Sequence, residues 1–477
     1  MVLFHYSNDP KYQLLENPSK RCKFVAHSWA VFGLVVLCIC IAFISLIILC
    51  GQIKQTEHKA ETLDFVLFGP KREISDIVRF SEYRALTYAL ANKSDVNDNI
   101  QSYTSNESVE TYQHIPLNYK LICYYVIPSR SSSQDRLYPS KIDPFLCTHI
   151  IIFFASLNDS IINFSDFELM ESMIKLKLKN SNLKLLLSVV SFSASEDHFA
   201  QMISTVNNRQ RFIESALQLL KRYSLDGIDL DWEFPAWPPN KDIKQKDQFV
   251  QLLKEMRYAF GNKYLLSVAV AAPITIVERS YDIPKLALYV DFINIMCYDY
   301  HSFVWYLPLT GPNAPLYSDV NDKGYQKTLN TNYTVHLWLK NGMPKNKIMV
   351  GMPTYGHSWT LLDPQNNGFN ALAENFGSIG EKGFISYRDT CKFINSSGTA
   401  EVFNGNMRVP YAYKQREWFS YDNFKSLSYK AEYVTEMGVA GAMIFSLNHD
   451  DPEGLICGST PFPLVSRIKA VLEDNDL

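Results

Sequence analysis

The chain has 477 residues, 47% hydrophobic and 20% charged, enough for one large enzyme domain with appendages. A net charge of -3 gives no basis for a nucleic-acid partner or a polybasic membrane-surface patch. Its 28 Tyr and 29 Phe suit an apolar core and an aromatic-lined cleft equally, so composition goes no further.

Residues 1–28 are mostly polar, with Lys11, Lys20, Arg21 and Lys23 set against Asp9 and Glu16. From Trp29 to Cys50 there is no charge at all. A run of this length, at about 1.5 Å per residue, covers a hydrocarbon core of about 30 Å. It is longer than the apolar part of a cleaved signal peptide. The expectation is a signal-anchor helix over 29–50. Its basic flank leaves 1–28 as a cytoplasmic tail and everything from 51 onward extracellular or lumenal, a single-pass type II arrangement. Residues 51–118 include a mixed stretch compatible with a helix, Asp64–Ala91, and a polar run, Asn92–Glu110. They read as a stalk, or as an extra element packed on the domain that follows.

The N-glycosylation sequons at Asn92, Asn106, Asn158, Asn163, Asn332 and Asn395 all fall after the apolar run, in keeping with that topology. Cys22, Cys38, Cys40 and Cys50 lie in or beside it, where palmitoylation and plain burial are both open. The other cysteines, Cys123, Cys147, Cys297, Cys391 and Cys457, suit two disulfides and one free thiol. No Cys/His spacing suggests a zinc site.

From Tyr119 to the end, strand-like runs alternate with helical ones, the pattern of an α/β domain with parallel strands. The strand candidates are Leu121–Val126, His149–Ala155, Leu183–Val190, Gly227–Glu233, Leu265–Ala271, Phe292–Tyr298, Ile348–Pro353 and Gly441–Leu447. Eight of them fit a (β/α)8 TIM barrel over 119–477, with functional residues at the strands' C-terminal ends. The gap before the last strand exceeds what a helix needs, so a small α+β insertion is expected over 357–430.

The fourth candidate strand carries the chemistry. In Gly227-Ile228-Asp229-Leu230-Asp231-Trp232-Glu233 the period of two puts Asp229, Asp231 and Glu233 on one face and Ile228, Leu230 and Trp232 on the other. Like charges at this spacing repel and resist burial, so an enclosed ladder shares protons. The outermost acid is then held protonated near neutral pH, as a general acid requires.

With Asp226 added, the pattern Asp-x-x-Asp-x-Asp-x-Glu, including Gly227 and Trp232, resembles the signature of family 18 glycoside hydrolases, the chitinases and chitinase-like lectins. The resemblance runs from Tyr119 to Ile468. It takes in Tyr119–Tyr125, Ile142–His149, Asn208–Phe212, Met296-Cys297-Tyr298-Asp299-Tyr300, Gly351–Gly356, Val409–Tyr413, Tyr421–Asn423 and Gly441–Met443. It implies disulfides Cys123–Cys147 and Cys391–Cys457, leaving Cys297 free. It also implies hydrolysis in which the substrate's own N-acetyl group is the nucleophile. Glu233 would protonate the glycosidic oxygen, Asp231 would orient the acetamide, and Asp229 would couple to Asp231. Tyr298 would bind the acetamide carbonyl. Met296, Asp299 and Tyr355 would line the sugar site, with Asp226, Phe192, Phe234, Trp305 and Phe445 as further substrate-binding positions. The implied partners are chitin or N-acetylglucosamine oligosaccharides, with no metal or organic cofactor and no identified protein partner.

The chain also departs from the family pattern. Tryptophan is usual where this chain has Ile127-Pro128, Phe192 in Val190-Ser191-Phe192, and Phe445, and tyrosine is usual at Phe234. Indoles are stacking platforms for sugar faces, so three platforms are lost or shrunk while every acid is kept. Trp237, Trp305 and Trp359 are the candidates to compensate. The first reading is therefore a membrane-anchored hydrolase. The alternative is a chitinase-like lectin with little or no turnover; such lectins usually lose the glutamate that this chain retains.

Overall fold

The computed structural model describes residues 119–128, 136–164, 166–190, 197–458 and 460–473. The apolar run at 29–50, the stalk at 51–118, Asn92, Asn106 and Phe192 lie outside these. Among the described residues no helix is long and apolar enough to cross a membrane.

The strands in chain order are β1 Lys120–Val126, β2 His149–Asn158, β3 Ile161–Asn163, β4 Lys184–Val190, β5 Gly227–Asp231, β6 Leu265–Val270, β7 Phe292–Ile295 and β8 Ile348–Pro353. They continue with β9 Tyr355–Leu361, β10 Ala373–Phe376, β11 Phe384–Ser386, β12 Ala400–Asn404, β13 Val409–Lys414, β14 Glu417–Ser420 and β15 Gly441–Phe445. Eight of these, β1, β2, β4, β5, β6, β7, β8 and β15, pair in parallel. The β1–β2 and β1–β15 ladders close them into a barrel. Each matches one of the eight expected runs. Parallel strands under helices are buried on both sides, which is why Ile150–Phe153 and Leu185–Leu187 read as unbroken apolar runs. The helices are α1 Phe167–Lys179, α2 His198–Ile203, α3 Val206–Tyr223, α4 Gln245–Phe260, α5 Ile274–Ser280, α6 Ile283–Tyr289, α7 Thr331–Lys340, α8 Tyr387–Ile394, α9 Phe424–Met437 and α10 Pro463–Glu473.

Local chemistry sets where the helices start and stop. Side chains of Asp166, Asp197, Thr205 and Asn423 accept backbone N–H bonds at the first turns of α1, α2, α3 and α9. Helix α9 ends at Gly438, whose φ of +60° a side chain would resist. Arg209 of α3 makes a bidentate pair with Glu255 of α4, at 2.8 and 2.9 Å, and locks two neighbours of the acid strand together. Gly227 opens β5 because a Cβ there would lie 2.3 Å from the Leu265 carbonyl oxygen on β6.

The insertion forms a second, antiparallel sheet in the order β10-β9-β14-β13-β12, with β11 also on β9. It runs from Tyr355 to Ser420, starting two residues before the expected 357. It stops short of 430, because α9 packs against α10, β15 and β8. Cys123–Cys147 ties β1 to the approach to β2, and Cys391–Cys457 ties α8 to the chain after β15. Cys297 is buried and free. Of the sequon residues, Asn158, Asn163 and Asn395 are exposed, whereas Asn332 is half-buried and accepts a hydrogen bond from the Tyr433 hydroxyl at 3.1 Å.

One buried ion pair stands out. Lys430 Nζ lies 2.6 and 2.7 Å from the two carboxylate oxygens of Asp422, both side chains being 1% exposed, and Ser426 donates to the same carboxylate at 2.6 Å. Removing one partner strands a charge away from water, so Lys430→Ala is expected to cost about 3–5 kcal/mol in denaturant unfolding. The double change Lys430→Met, Asp422→Leu should restore much of that, and equal losses in the two variants would contradict the account.

Candidate active site

A cavity of about 150 Å³ opens at the C-terminal end of the barrel. Asp231, Glu233, Met296, Tyr298, Asp299, Tyr355 and Phe445, all expected site residues, line it. So do Tyr124, Phe153, Ala269, Ser302, His357 and Phe384. The peptide bonds after Phe153, Glu233 and Phe445 are cis.

The ladder is best followed from its base. Asp229 is fully buried on β5 and receives four neutral hydrogen bonds from four other strands. Tyr124 and Ser188 donate to Oδ2 at 2.8 and 3.0 Å, while Ser267 and the Asn294 amide donate to Oδ1 at 2.6 and 3.2 Å. Burial raises the Asp229 pKa, and these donors pull it part of the way back. One rung outward, Asp231 is pushed well above the usual carboxylate range by burial, then by the charges of Glu233 and Asp229. Its Oδ1 is buried without a hydrogen-bond partner. Glu233 lies just past the end of β5, and burial, with a contribution from Asp299, raises it to about 7. The three acids therefore carry fewer than three charges at neutral pH, with a proton available at the outermost.

The opposite wall comes from the second sheet. Tyr355 and His357, on one face of β9, both reach Asp299 Oδ1 at 2.6 Å. Burial alone would raise Asp299, but these bonds and the charge of His357 outweigh it and hold the carboxyl below its ordinary value. Asp299 has φ +57°, an uncommon backbone conformation fixed partly by its N–H bond to the Asn313 side chain. Tyr298 is buried, its hydroxyl 3.8 Å from Met443 Sδ, and Phe445 packs among Tyr124, Phe153 and Tyr298 with ring centroids 5.4–6.0 Å apart.

The family model described as glycosyl hydrolases family 18 matches residues 120–450. The chain belongs to that family. Chitotriosidase-1 of Mus musculus is 35% identical over 369 residues, covering 74% of this chain and 78% of its own. Chitinase-3-like protein 2 of Homo sapiens is 35% identical over 375 residues, covering 74% and 93%. Among solved structures, the Group IV chitinase of Ostrinia furnacalis superposes with a TM-score of 0.71 at 34% identity, covering 75% of this chain and all of that one. A human protein described as a pseudo-chitinase with retained chitooligosaccharide binding superposes with a TM-score of 0.69 at 34% identity, covering 74% and 99%.

Within this family 18 barrel, three expected positions fall elsewhere. Asp226 precedes β5, at the barrel's far end, where it pairs with Lys177 at 2.7 Å and accepts the Leu185 N–H at 2.8 Å. It is a structural tie between α1, β4 and β5. Phe234 is buried in the core, not on the cavity. Trp305 sits on an exposed loop tip and does not line the cavity. Of the candidate substitutes, Trp359 is also buried away from the cavity, against Trp418 in the second sheet. The sequence reading missed Tyr124, Ser188, Ser267, Asn294 and His357. The serines and the asparagine had one signal, a lone polar residue inside an apolar strand.

The raised Glu233 value has a consequence for stability. The folded chain keeps a proton that the unfolded chain releases at lower pH. The stability this group contributes is complete below its unfolded value and is lost as pH rises through about 7. Glu233→Gln, which cannot ionise, should therefore match wild type in melting temperature near pH ~4 and exceed it near pH ~8. A difference independent of pH would mean that Glu233 is not held protonated by its surroundings.

Proposed function

We propose that this protein is a chitin-type glycoside hydrolase that cleaves β-1,4-linked N-acetylglucosamine chains by substrate-assisted retaining catalysis. The observation that carries the reading is the pairing, in one cavity, of a glutamic acid raised to about 7 with a buried aspartate oxygen that has no partner. The first is a proton donor at neutral pH. The second is an acceptor suited to an acetamide N–H, whose absence leaves a buried polar atom unpaired.

In the reaction, Glu233 transfers its proton to the glycosidic oxygen as the C1–O bond breaks. The acetamide carbonyl oxygen bonds to C1 and forms an oxazolinium ion, whose positive charge faces Asp231 and Asp229. The leaving sugar departs as an alcohol. Water then adds to C1, its proton returns to the Glu233 carboxylate, and the C1–O bond to the acetamide breaks. Tyr298 would donate to the acetamide carbonyl. Asp299, held by Tyr355 and His357, would accept from a sugar hydroxyl. The aromatic wall of Tyr124, Phe153 and Phe445 supplies apolar contact for the sugar face.

A second reading, a lectin with little turnover, is supported by one specific feature: among the described residues no indole lines the cavity. The human pseudo-chitinase, described as binding chitooligosaccharides, is a precedent for it. The experiment that separates the two is turnover of a fluorogenic N,N′-diacetylchitobioside. The hydrolase reading expects turnover, with kcat/KM falling about tenfold per pH unit above about 7 as Glu233 loses its proton. Glu233→Gln should lower kcat by about 10²–10⁴ and leave oligosaccharide binding largely intact. Binding without turnover in wild type would decide for the lectin.

We further infer that the barrel is extracellular or lumenal, held by a signal-anchor at 29–50. Two disulfides in the barrel and exposed sequon residues support an oxidising, glycosylating compartment. Peptide N-glycosidase should lower the apparent mass, and protease added outside intact cells or vesicles of matching orientation should release the barrel. A protected, unglycosylated barrel would overturn this topology.

A further inference from the structure

The cavity wall opposite the acid ladder is made by Asp299 from the barrel and by Tyr355 and His357 from the lobe. Asn313 is fully buried and does not line the cavity, yet it holds the backbone on both sides of that wall. Its Oδ1 accepts the Asp299 N–H at 3.0 Å, and its Nδ2 donates to the Tyr355 carbonyl at 3.0 Å. Its own N–H donates to Ser420 Oγ at 2.9 Å, and Ser420 on β14 is the register partner of His357 on β9. Its carbonyl accepts the Tyr300 N–H at 3.0 Å, which closes the excursion of residues 301–312 at its base. One residue therefore bonds directly to two of the wall residues and to the strand neighbour of the third.

The chemistry of these bonds selects an amide. The side chain must accept from an N–H on one side and donate to a C=O on the other; an ionised aspartate cannot donate, and leucine offers neither. Reversing the amide would set N–H against N–H and C=O against C=O, so its partners fix its orientation. The consequence is greatest at Asp299, whose φ of +57° lies in the left-handed region. A residue with a side chain keeps such a conformation only where its surroundings hold it. From that backbone Asp299 Oδ1 meets the Tyr355 hydroxyl and His357 Nε2, both at 2.6 Å. Without the clasp, the chain would return to the regions that L-residues prefer, and the carboxylate would leave the wall.

We propose that Asn313 is a positioning residue for the cavity: it locks Asp299 to Tyr355 across the junction of barrel and lobe, and so sets the carboxylate where a sugar hydroxyl meets it. Asn313 acts through Asp299 and touches no substrate. The proposal rests on the reading of the cavity as an N-acetylglucosamine site.

The test is a double-mutant cycle on the full chain, read as the dissociation constant of N-acetylglucosamine tetramer. Asn313→Ala should weaken binding about tenfold, the lower end for losing a hydrogen bond to a charged group. In an Asp299→Ala background the same change should cost less than about twofold, because the group it positions is gone. Equal weakening in the two backgrounds would make Asn313 a general support of the fold and overturn the proposal. So would a folded Asn313→Ala that binds the tetramer as wild type does. Should Asn313→Ala not fold, Asn313→Asp carries the same cycle: it keeps the size and the acceptor for the Asp299 N–H, and loses the donor to Tyr355.

A second readout needs no sugar. Burial alone would raise Asp299, but the bonds from His357 and Tyr355 hold it below its ordinary value. The stability this gives is present above the unfolded value of Asp299 and is lost as pH falls through the folded one. The gap in melting temperature between wild type and Asn313→Ala should therefore widen from pH ~3 to pH ~6, and stay constant when both chains carry Asp299→Ala. The titratable groups facing Asp299 are His357 and Tyr355 on β9, Tyr298 beside it and Glu233 across the cavity. All are present in both members of each pair, so their own titrations cancel. A gap independent of pH would overturn the proposal. A wild type that does not bind the tetramer refutes the sugar reading instead, and the melting comparison then decides Asn313 by itself.

Discussion

The carboxylate of Asp229 is the constraint on which the site depends. It sits at zero exposure inside the barrel, and the groups that bond to it are all neutral. Burying an ionised carboxylate is affordable only if its lone pairs are occupied. The four donors come from β1, β4, β6 and β7, so they meet only when the sheet has closed on itself with these strands in register. The barrel's closure and the burial of Asp229 are thus one condition. The electrostatics of the rest follows from it. A charge at the base of the ladder disfavours a second one on Asp231, as does a charge on Glu233 just beyond it, while Glu233 is raised by burial and by Asp299.

The aromatic residues show a different distribution of resources. Trp232 stacks on Phe199 and meets Phe249 on the outer, helix-covered side of β5, Trp338 is in the core, and Trp359 and Trp418 form the centre of the second sheet. Indoles here stabilise the two layers and leave the cavity to Phe and Tyr. A phenyl ring covers less of a sugar face than an indole, and at about 25 cal/mol per Å² the difference accumulates with each sugar bound. For the substrate proposed above, a cavity built this way would favour recognition at the acetamide, through polar contacts, over grip along a chain.

Much of this was legible in the sequence because its signals are local. The eight strands announce themselves as apolar runs of strand length, and the acid ladder shows as a period of two inside one of them. Asp226 misled because motif membership ignores distance. At about 3.3 Å per residue, the seven steps to Glu233 amount to roughly 23 Å, the whole depth of the barrel. Tyr124, Ser267 and Asn294 were invisible as a group because they meet Asp229 only across sequence separations of 105, 38 and 65 residues. His357 was missed for a related reason. Its partner, Asp299, lies 58 residues away, and it is β9, the first strand of the inserted sheet, that carries it to the cavity.

That last contact explains why the second sheet is part of the site rather than an appendage. The chain leaves β8 at Pro353 and, after one residue, enters β9, so the same backbone passes from barrel wall to lobe. Alternation along β9 then puts Tyr355 and His357 on the face that meets Asp299, while β11 on the neighbouring edge contributes Phe384, stacked on Tyr355 with ring centroids 4.5 Å apart. Asp299 enters from the barrel and its counterparts from the lobe. Asp299 is thereby given partners fixed in place by the lobe, as Asp229 is by the neighbouring barrel strands. Asp231 Oδ1 is left without a partner, at a cost of about 1–3 kcal/mol for an unpaired buried acceptor. For the N-acetyl sugar proposed above, an N–H brought to that point would recover this energy on binding and favour one orientation.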